Sequence, residues 1–237
     1  MAWSHTQSRL SPDGTATSAT TLAFSFLATV SNNGLVVGTV MWGDATITCT
    51  GVADDKSNTY TLLNPKSDAG AGVSAVSFYK EGITNGPITI TATFSATVAF
   101  RRMVIGEYAG IATSSAIDGS NAQVQTSPAT GADTLNSLTA TTTGSGDLIW
   151  GSTLDGTGSG NTLSAGTSPN AFTARANGTS ADNTDMMAED FSQTSAGSIE
   201  ATAGCTAAAH DFITHMMAFK IASGAASAST LPLMGVG

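Results

Sequence analysis

The chain has 237 residues, enough for one large all-β domain or two small ones and enough to bury a core without a disulfide or metal. Only 11% of its residues are charged, against about 25% in an ordinary soluble domain, and Thr, Ser, Ala, Gly and Asn take up the difference. Eight basic residues against 17 acidic ones give a net charge of −9, which excludes the clustered positive surface that nucleic acid or an anionic membrane needs.

From the N-terminus, Met-Ala-Trp-Ser-His-Thr-Gln-Ser-Arg lacks the basic and apolar regions of a secretory signal. No apolar run nears the ~20 residues that cross a bilayer as a helix. Leu22, Phe24, Phe26 and Ala28 alternate with polar neighbours, the pattern of a half-buried strand. Asn32-Asn33-Gly34 predicts a turn, and Leu35 to Trp42 is a near-continuous apolar run that reads as a central strand. Strands are expected over Thr46 to Val52, Asn58 to Leu63, Val73 to Lys80, Pro87 to Phe94 and Val98 to Tyr108, with Asn85-Gly86 as a hairpin-type turn.

Ala109 to Ser145 is looser, rich in Gly, Ser, Thr and Asn, with Leu135 and Leu138 as its apolar anchors. Strands resume at Asp147 to Thr153, Ala171 to Ala176, Met186 to Phe191, Ser198 to Ala203 and Phe212 to Ile221. No apolar stripe of helical period persists anywhere, and no fixed-period repeat is visible. The expected architecture is a single two-sheet antiparallel β-sandwich of jelly-roll type with about a dozen strands, spanning residues 1–221. Residues 222–237 form a separate unit, a small-residue linker followed by an apolar arm with Leu231, Pro232, Leu233, Met234 and Val236. Apolar side chains on such a tether suit docking on a neighbouring subunit, by strand addition or by filling a groove.

Candidate chemistry is sparse. His210 and His215 are five residues apart, which puts them on opposite faces of a regular strand, and His5 is far from both. Ser159 sits in a Gly-rich loop rather than a nucleophile elbow. Glu107, Glu189 and Asp190 are the acids inside strand-like runs, but adjacent Glu189 and Asp190 point to opposite faces. Catalytic and cofactor residues are therefore expected to be none.

Asp54-Asp55 and Asp182-Asn183-Thr184-Asp185 are weak calcium candidates, with ordinary turn chemistry the plainer reading of Asp54, Asp55, Asp182 and Asp185. Trp42 and Trp150 fall in apolar strands and read as core, leaving Trp3, Tyr79 and Tyr108 as loose candidates for a sugar platform. Asn177-Gly178-Thr179 is a glycosylation sequon only in a eukaryotic secretory context. Cys49 and Cys205 read as small buried hydrophobes, with one inter-sheet disulfide as the alternative.

Val52-Ala53-Asp54-Asp55-Lys56-Ser57-Asn58-Thr59-Tyr60, Glu107-Tyr108-Ala109-Gly110 and Ala218-Phe219-Lys220 resemble the V-x-D-x-x-G-N-x-Y, E-Y-S-G and A-F-K segments of a bacterial and phage surface β-sandwich family. Ser57 stands where that family has Gly, so a different turn is expected there. The resemblance implies a surface-exposed module without catalytic residues. The expected role is a non-enzymatic structural protein on the exterior of a bacteriophage virion, most simply capsid decoration or cement, homo-oligomeric and bound to neighbouring virion subunits. The alternative is a bacterial cell-surface or secreted carbohydrate-binding module.

Overall fold

The computed structural model describes residues 2–12, 17–86, 88–157, 160–179 and 185–223. The described chain is all-β, with no helix and eighteen strands in antiparallel sheets. In chain order these are β1 (Ser4–Leu10), β2 (Ala19–Ser25), β3 (Gly34–Trp42), β4 (Cys49–Asp54), β5 (Thr61–Asp68), β6 (Val73–Ile83), β7 (Thr89–Val98), β8 (Arg102–Ala109) and β9 (Ile117–Thr126). They continue as β10 (Gly131–Asn136), β11 (Ala140–Thr142), β12 (Asp147–Asp155), β13 (Leu163–Ala165), β14 (Thr173–Gly178), β15 (Asp185–Gln193), β16 (Gly197–Ile199), β17 (Thr202–Cys205) and β18 (Asp211–Phe219).

The sheets stack in four layers. A five-stranded sheet in the order β1-β8-β3-β6-β5 is covered on one face by the three-stranded sheet β2-β7-β4. A second five-stranded sheet, β14-β15-β12-β18-β9, is covered by β10-β17-β13 and β11-β16. The two large sheets then pack on each other through their remaining faces. Strand β3 shows why: Val36, Val40 and Trp42 face the first cover while Leu35, Val37 and Met41 face the second large sheet. All nine of its residues are buried, as are all nine of β12. A continuous apolar run thus marks a strand with protein on both sides.

The expected count of about a dozen strands in two sheets becomes eighteen in five. Half of the surplus comes from Ala109 to Ser145, where β9, β10 and β11 pair through their backbones while presenting half-buried polar side chains, with β1 and β13 also unexpected. Leu135 anchors that stretch, fully buried, whereas Leu138 is 46% exposed and anchors nothing. The run read as one strand over Ser198 to Ala203 is two, β16 and β17, belonging to different sheets.

Both halves follow one plan. In the first, β1 pairs with β8, β2 with β7 and β3 with β6, so the chain is a long hairpin rolled over itself, as in a jelly roll. In the second, β9 pairs with β18, β10 with β17, β11 with β16 and β12 with β15. With β2 and β7 each broken in two, the second half reproduces the first strand for strand. Contacts between halves are reciprocal: β5 touches β9, and β1 touches β14, its counterpart pair. The molecule is built like a two-fold dimer within one chain.

The repeat that the sequence conceals therefore occurs once, at a spacing of about a hundred residues. Its clearest trace is Leu35-Val36-Val37-Gly38-Thr39 against Leu148-Ile149-Trp150-Gly151-Ser152. The pseudo-axis passes beside the last pair. Thr39 Oγ1 lies 2.7 Å from Ser152 Oγ and 2.8 Å from Ser77 Oγ, all three fully or nearly fully buried. Nearby, His215 is fully buried and its Nε2 meets the Asn64 carbonyl oxygen at 3.0 Å. Burial, with the Lys66 ammonium adding to it, pushes this imidazole down to about 3, so it stays neutral.

Candidate functional site

Each group singled out in the sequence can be followed to its place. Asp54 closes the loop from β4 to β5. Its Oδ1 accepts from the Lys56 and Asn58 backbone N–H groups at 2.9 and 3.0 Å, and its Oδ2 accepts from Asn58 Nδ2 and the Tyr60 hydroxyl, both at 2.9 Å. The carboxylate is consumed by its own turn. Ser57 takes φ = 65°, the left-handed conformation that glycine adopts most readily. Asp55 Oδ1 accepts from Thr89 N at 3.2 Å.

Asp185 is buried at the end of β15, paired across the ladder with Asp155. Asn161 links them: its N–H donates to Asp185 Oδ2 at 3.1 Å and its Nδ2 to Asp155 Oδ2 at 2.9 Å. Asn161 Oδ1 accepts from Thr206 and Ala207 N–H groups, while Asp155 Oδ2 also meets His210 Nδ1 at 2.6 Å. This network ties two loops to the strand ends. Among the described residues no three His, Cys, Asp or Glu side chains converge as a metal set. Asp182, Ser159 and the arm residues Leu231, Pro232, Leu233, Met234 and Val236 lie outside the described residues.

The acids in strands also separate. Glu107 Oε1 accepts from Ser31 N at 2.7 Å and its Oε2 from Gln7 Nε2 at 2.6 Å, with no second carboxylate facing it. Asp190 turns to the interface between large sheets and takes Arg175 Nε at 2.6 Å. Glu189 turns the other way, under the cover sheets. It is fully buried, its Oε2 accepts from Gly166 N at 3.0 Å, and its Oε1 has no partner. Burial pushes this carboxyl up to about 8.

Asp147 and Asp118 sit side by side at the other end of the second large sheet. Asp118 pairs with Lys220 Nζ at 3.3 Å, and against the effect of burial the hydrogen bonds it accepts from Thr143, Gly144 and Asp147 hold it well below the usual carboxylate range. Burial and the Asp118 carboxylate push Asp147 up to about 6.

The aromatic rings singled out as sugar-platform candidates are largely covered. Trp42, Trp150, Tyr60, Tyr79 and Tyr108 are buried, and Trp3 is half-buried with its ring edge-on to Tyr108 at 5.8 Å. The large exposed apolar side chains are Leu27, Phe100 and Leu138. Cys49 and Cys205 are free thiols in different cores, which overturns the disulfide alternative.

What the structure adds is a pocket of about 300 Å³ in the first half, where β4 and β5 part. In a fully rolled hairpin those two strands would pair. Here β4 belongs to the cover sheet and β5 to the large sheet, and the gap between them opens on the core. Trp42 and Val76 form its buried floor, Ile47, Cys49 and Leu62 its half-buried walls, and Pro65 stands at its exposed rim. The strand β5 is diverted at this point. Its register shifts between Leu63 and Lys66, Asn64 has φ = 51°, and Pro65 cannot donate to a ladder. His215 holds the bulge from the opposite half through the Asn64 carbonyl.

The lining is mostly apolar, and burial raises the Cys49 thiol above its ordinary value, so it is a quiet thiol rather than a nucleophile. Sequence reading placed Trp42 in the core but missed the pocket. The one available signal was Asn64-Pro65, a strand breaker inside an otherwise regular run. No family model, curated protein or solved structure matches the chain.

Proposed function

We propose that the protein is a non-enzymatic structural component on the exterior of a bacteriophage virion, most simply a capsid decoration or cement protein that binds its neighbours as a homo-oligomer. The observation that carries this reading is where the ionisable groups go. Among the described residues seven strand carboxylates, Glu107, Asp155, Asp185, Glu189, Asp190, Asp68 and Asp147, are buried, and the first five are bonded within the fold through at least one oxygen, while Asp68, Asp147 and Glu189 each keep one oxygen without a partner. The surface left over is rich in Thr, Ser, Gly and Asn. Short side chains lose little entropy when surfaces pack together, and an acidic balance discourages stray binding to DNA. Four stacked sheets in a low-charge coat suit a durable building block.

Burial of the Tyr79 and Tyr108 rings speaks against the carbohydrate-binding alternative, since a sugar needs a flat ring in water to stack on, and Phe100 is the exposed ring among the described residues. The test is co-sedimentation of the purified protein with capsids assembled from the coat protein of the same genome, alongside light scattering. Saturable binding at a fixed ratio to coat subunits is expected. A protein that stays monomeric and remains in the supernatant while the capsids pellet overturns the reading, and binding to a glycan array with a micromolar Kd would replace it.

A further inference from the structure

We propose that the pocket between β4 and β5 receives the segment Leu231–Val236 of a second copy of this chain, which rests on the assembly reading above and names its joint. The pocket and the segment match in chemistry. Trp42, Ile47, Leu62, Pro65 and Val76 offer a mostly apolar surface beside Thr48, Lys66 and Ser67, and Leu231, Leu233, Met234 and Val236 carry no charge. About 300 Å³ is the low end of a ligand pocket, room for a few aliphatic side chains but not for a large cofactor. The flanking strands β4 and β5 are both sheet edges, so an extended segment can lie along them while its alternate side chains point inward.

The point of departure favours a second copy over the same one. The Ala222 N–H is tied to the Gly110 carbonyl oxygen at 2.8 Å, just beyond the Tyr108 end of β8. The pocket lies toward the other end of the sheet and three strands across, on β5: through the ladders Leu62 is level with Ile105 and Val76 with Met103. From Gly110 back to Met103 a strand covers roughly 23 Å at about 3.3 Å per residue, and three strand spacings of about 4.8 Å add roughly 14 Å sideways. The chain from Ala222 to Leu231 spans at most about 32 Å when drawn out fully straight. Reaching its own pocket would require a taut, direct path through the sheets. A neighbour's pocket imposes no such path.

Cys49 gives the experiment. In a Cys205→Ser background, Met234→Cys places a second thiol on the docked segment, and diamide takes the two electrons and two protons as the disulfide forms. Disulfide-linked dimers and longer ladders on a non-reducing gel are expected, and Leu62→Asp should reduce them at least tenfold. Failure to cross-link, or a bridge within one chain that survives high dilution, overturns the proposal. A second measurement does not depend on the new cysteine. Alkylation of Cys49 in the otherwise native chain should be at least tenfold slower at high than at low protein concentration, and Leu231→Asp/Leu233→Asp should abolish the difference. Equal rates overturn it. If cross-linking fails and the protein still binds capsids, the joint is wrong while the exterior role stands; if cross-linking succeeds and capsids are ignored, the reverse holds.

Discussion

Phe78 and Glu189 occupy the same position in the two halves of the molecule. Phe78 is the cross-strand partner of Gly38, and Glu189 is the cross-strand partner of Gly151, the glycine that matches Gly38 in the repeated Leu-x-x-Gly-Thr/Ser segment. A Cβ on Gly38 would come within 2.5 Å of the Phe78 ring, and one on Gly151 within 2.9 Å of the Glu189 carboxyl, so each glycine makes room for the side chain opposite. One half thus places an aromatic ring where the other places a buried acid.

Glu189 should therefore be a source of pH-dependent instability. Its folded-state value of about 8 lies above the ordinary glutamate value of 4.5, so the native state holds a proton that the unfolded chain has released between those values. Stability is then lost as pH rises from about 4.5 and levels off above about 8, a total on the order of 4 kcal/mol. Glu189→Gln keeps the acceptor for Gly166 and removes the titration. Urea midpoints for variant and parent should agree closely at pH 5 and diverge by several kcal/mol at pH 9, the variant being the more stable. Parallel pH profiles would show that the carboxyl is solvated.

The Thr39–Ser152 contact at the pseudo-axis should couple the halves. Thr39→Val strands the Ser77 and Ser152 hydroxyls in a buried site and is expected to cost about 1–3 kcal/mol. The double variant Thr39→Val/Ser152→Ala should cost clearly less than the sum of the two singles, because each removes a group the other leaves unpaired. Strict additivity in chemical denaturation would mean that the hydroxyls act independently.

The β4–β5 turn offers changes of opposite sign. Ser57→Gly relieves a left-handed serine but adds freedom to the unfolded chain, for a net gain of about 0.5 kcal/mol. Asp54→Ala removes the acceptor of the Tyr60 hydroxyl and of the Asn58 amide, and a loss of about 2 kcal/mol or more is expected. Thermal unfolding of both variants measures this. A destabilised Ser57→Gly would show that the turn needs the serine side chain.

Calcium should be without effect through Asp54, whose oxygens already accept five hydrogen bonds from Lys56, Asn58 and Tyr60. Millimolar calcium against chelator should leave the Tm within about 1 °C, since binding to the native state alone would raise it. A clear rise that Asp54→Asn removes would establish a site there.

Much of the fold was legible because it rests on local alternation. Residues such as Leu35 to Trp42 and Asp147 to Thr153 have to be strands buried on both faces, and Asn58 and Tyr60 follow Asp54 at the spacing its turn uses. The strands β9, β10 and β11 were not legible. Polar side chains on a paired strand leave no periodic apolar trace, because their stability comes from backbone hydrogen bonds to partners far away in sequence.

By itself, then, the amino-acid order determined the all-β class, the central strands, the buried tryptophans and the scarcity of positive charge, each a property of neighbouring residues. Only the tertiary structure decided that the chain is a doubled, two-fold-like pair of layered halves, that Glu189 stands in for Phe78, and that β4 and β5 part to leave an apolar pocket. Those depend on which strands meet across a hundred residues or more. Side-chain periodicity reports burial but not the partner that causes it.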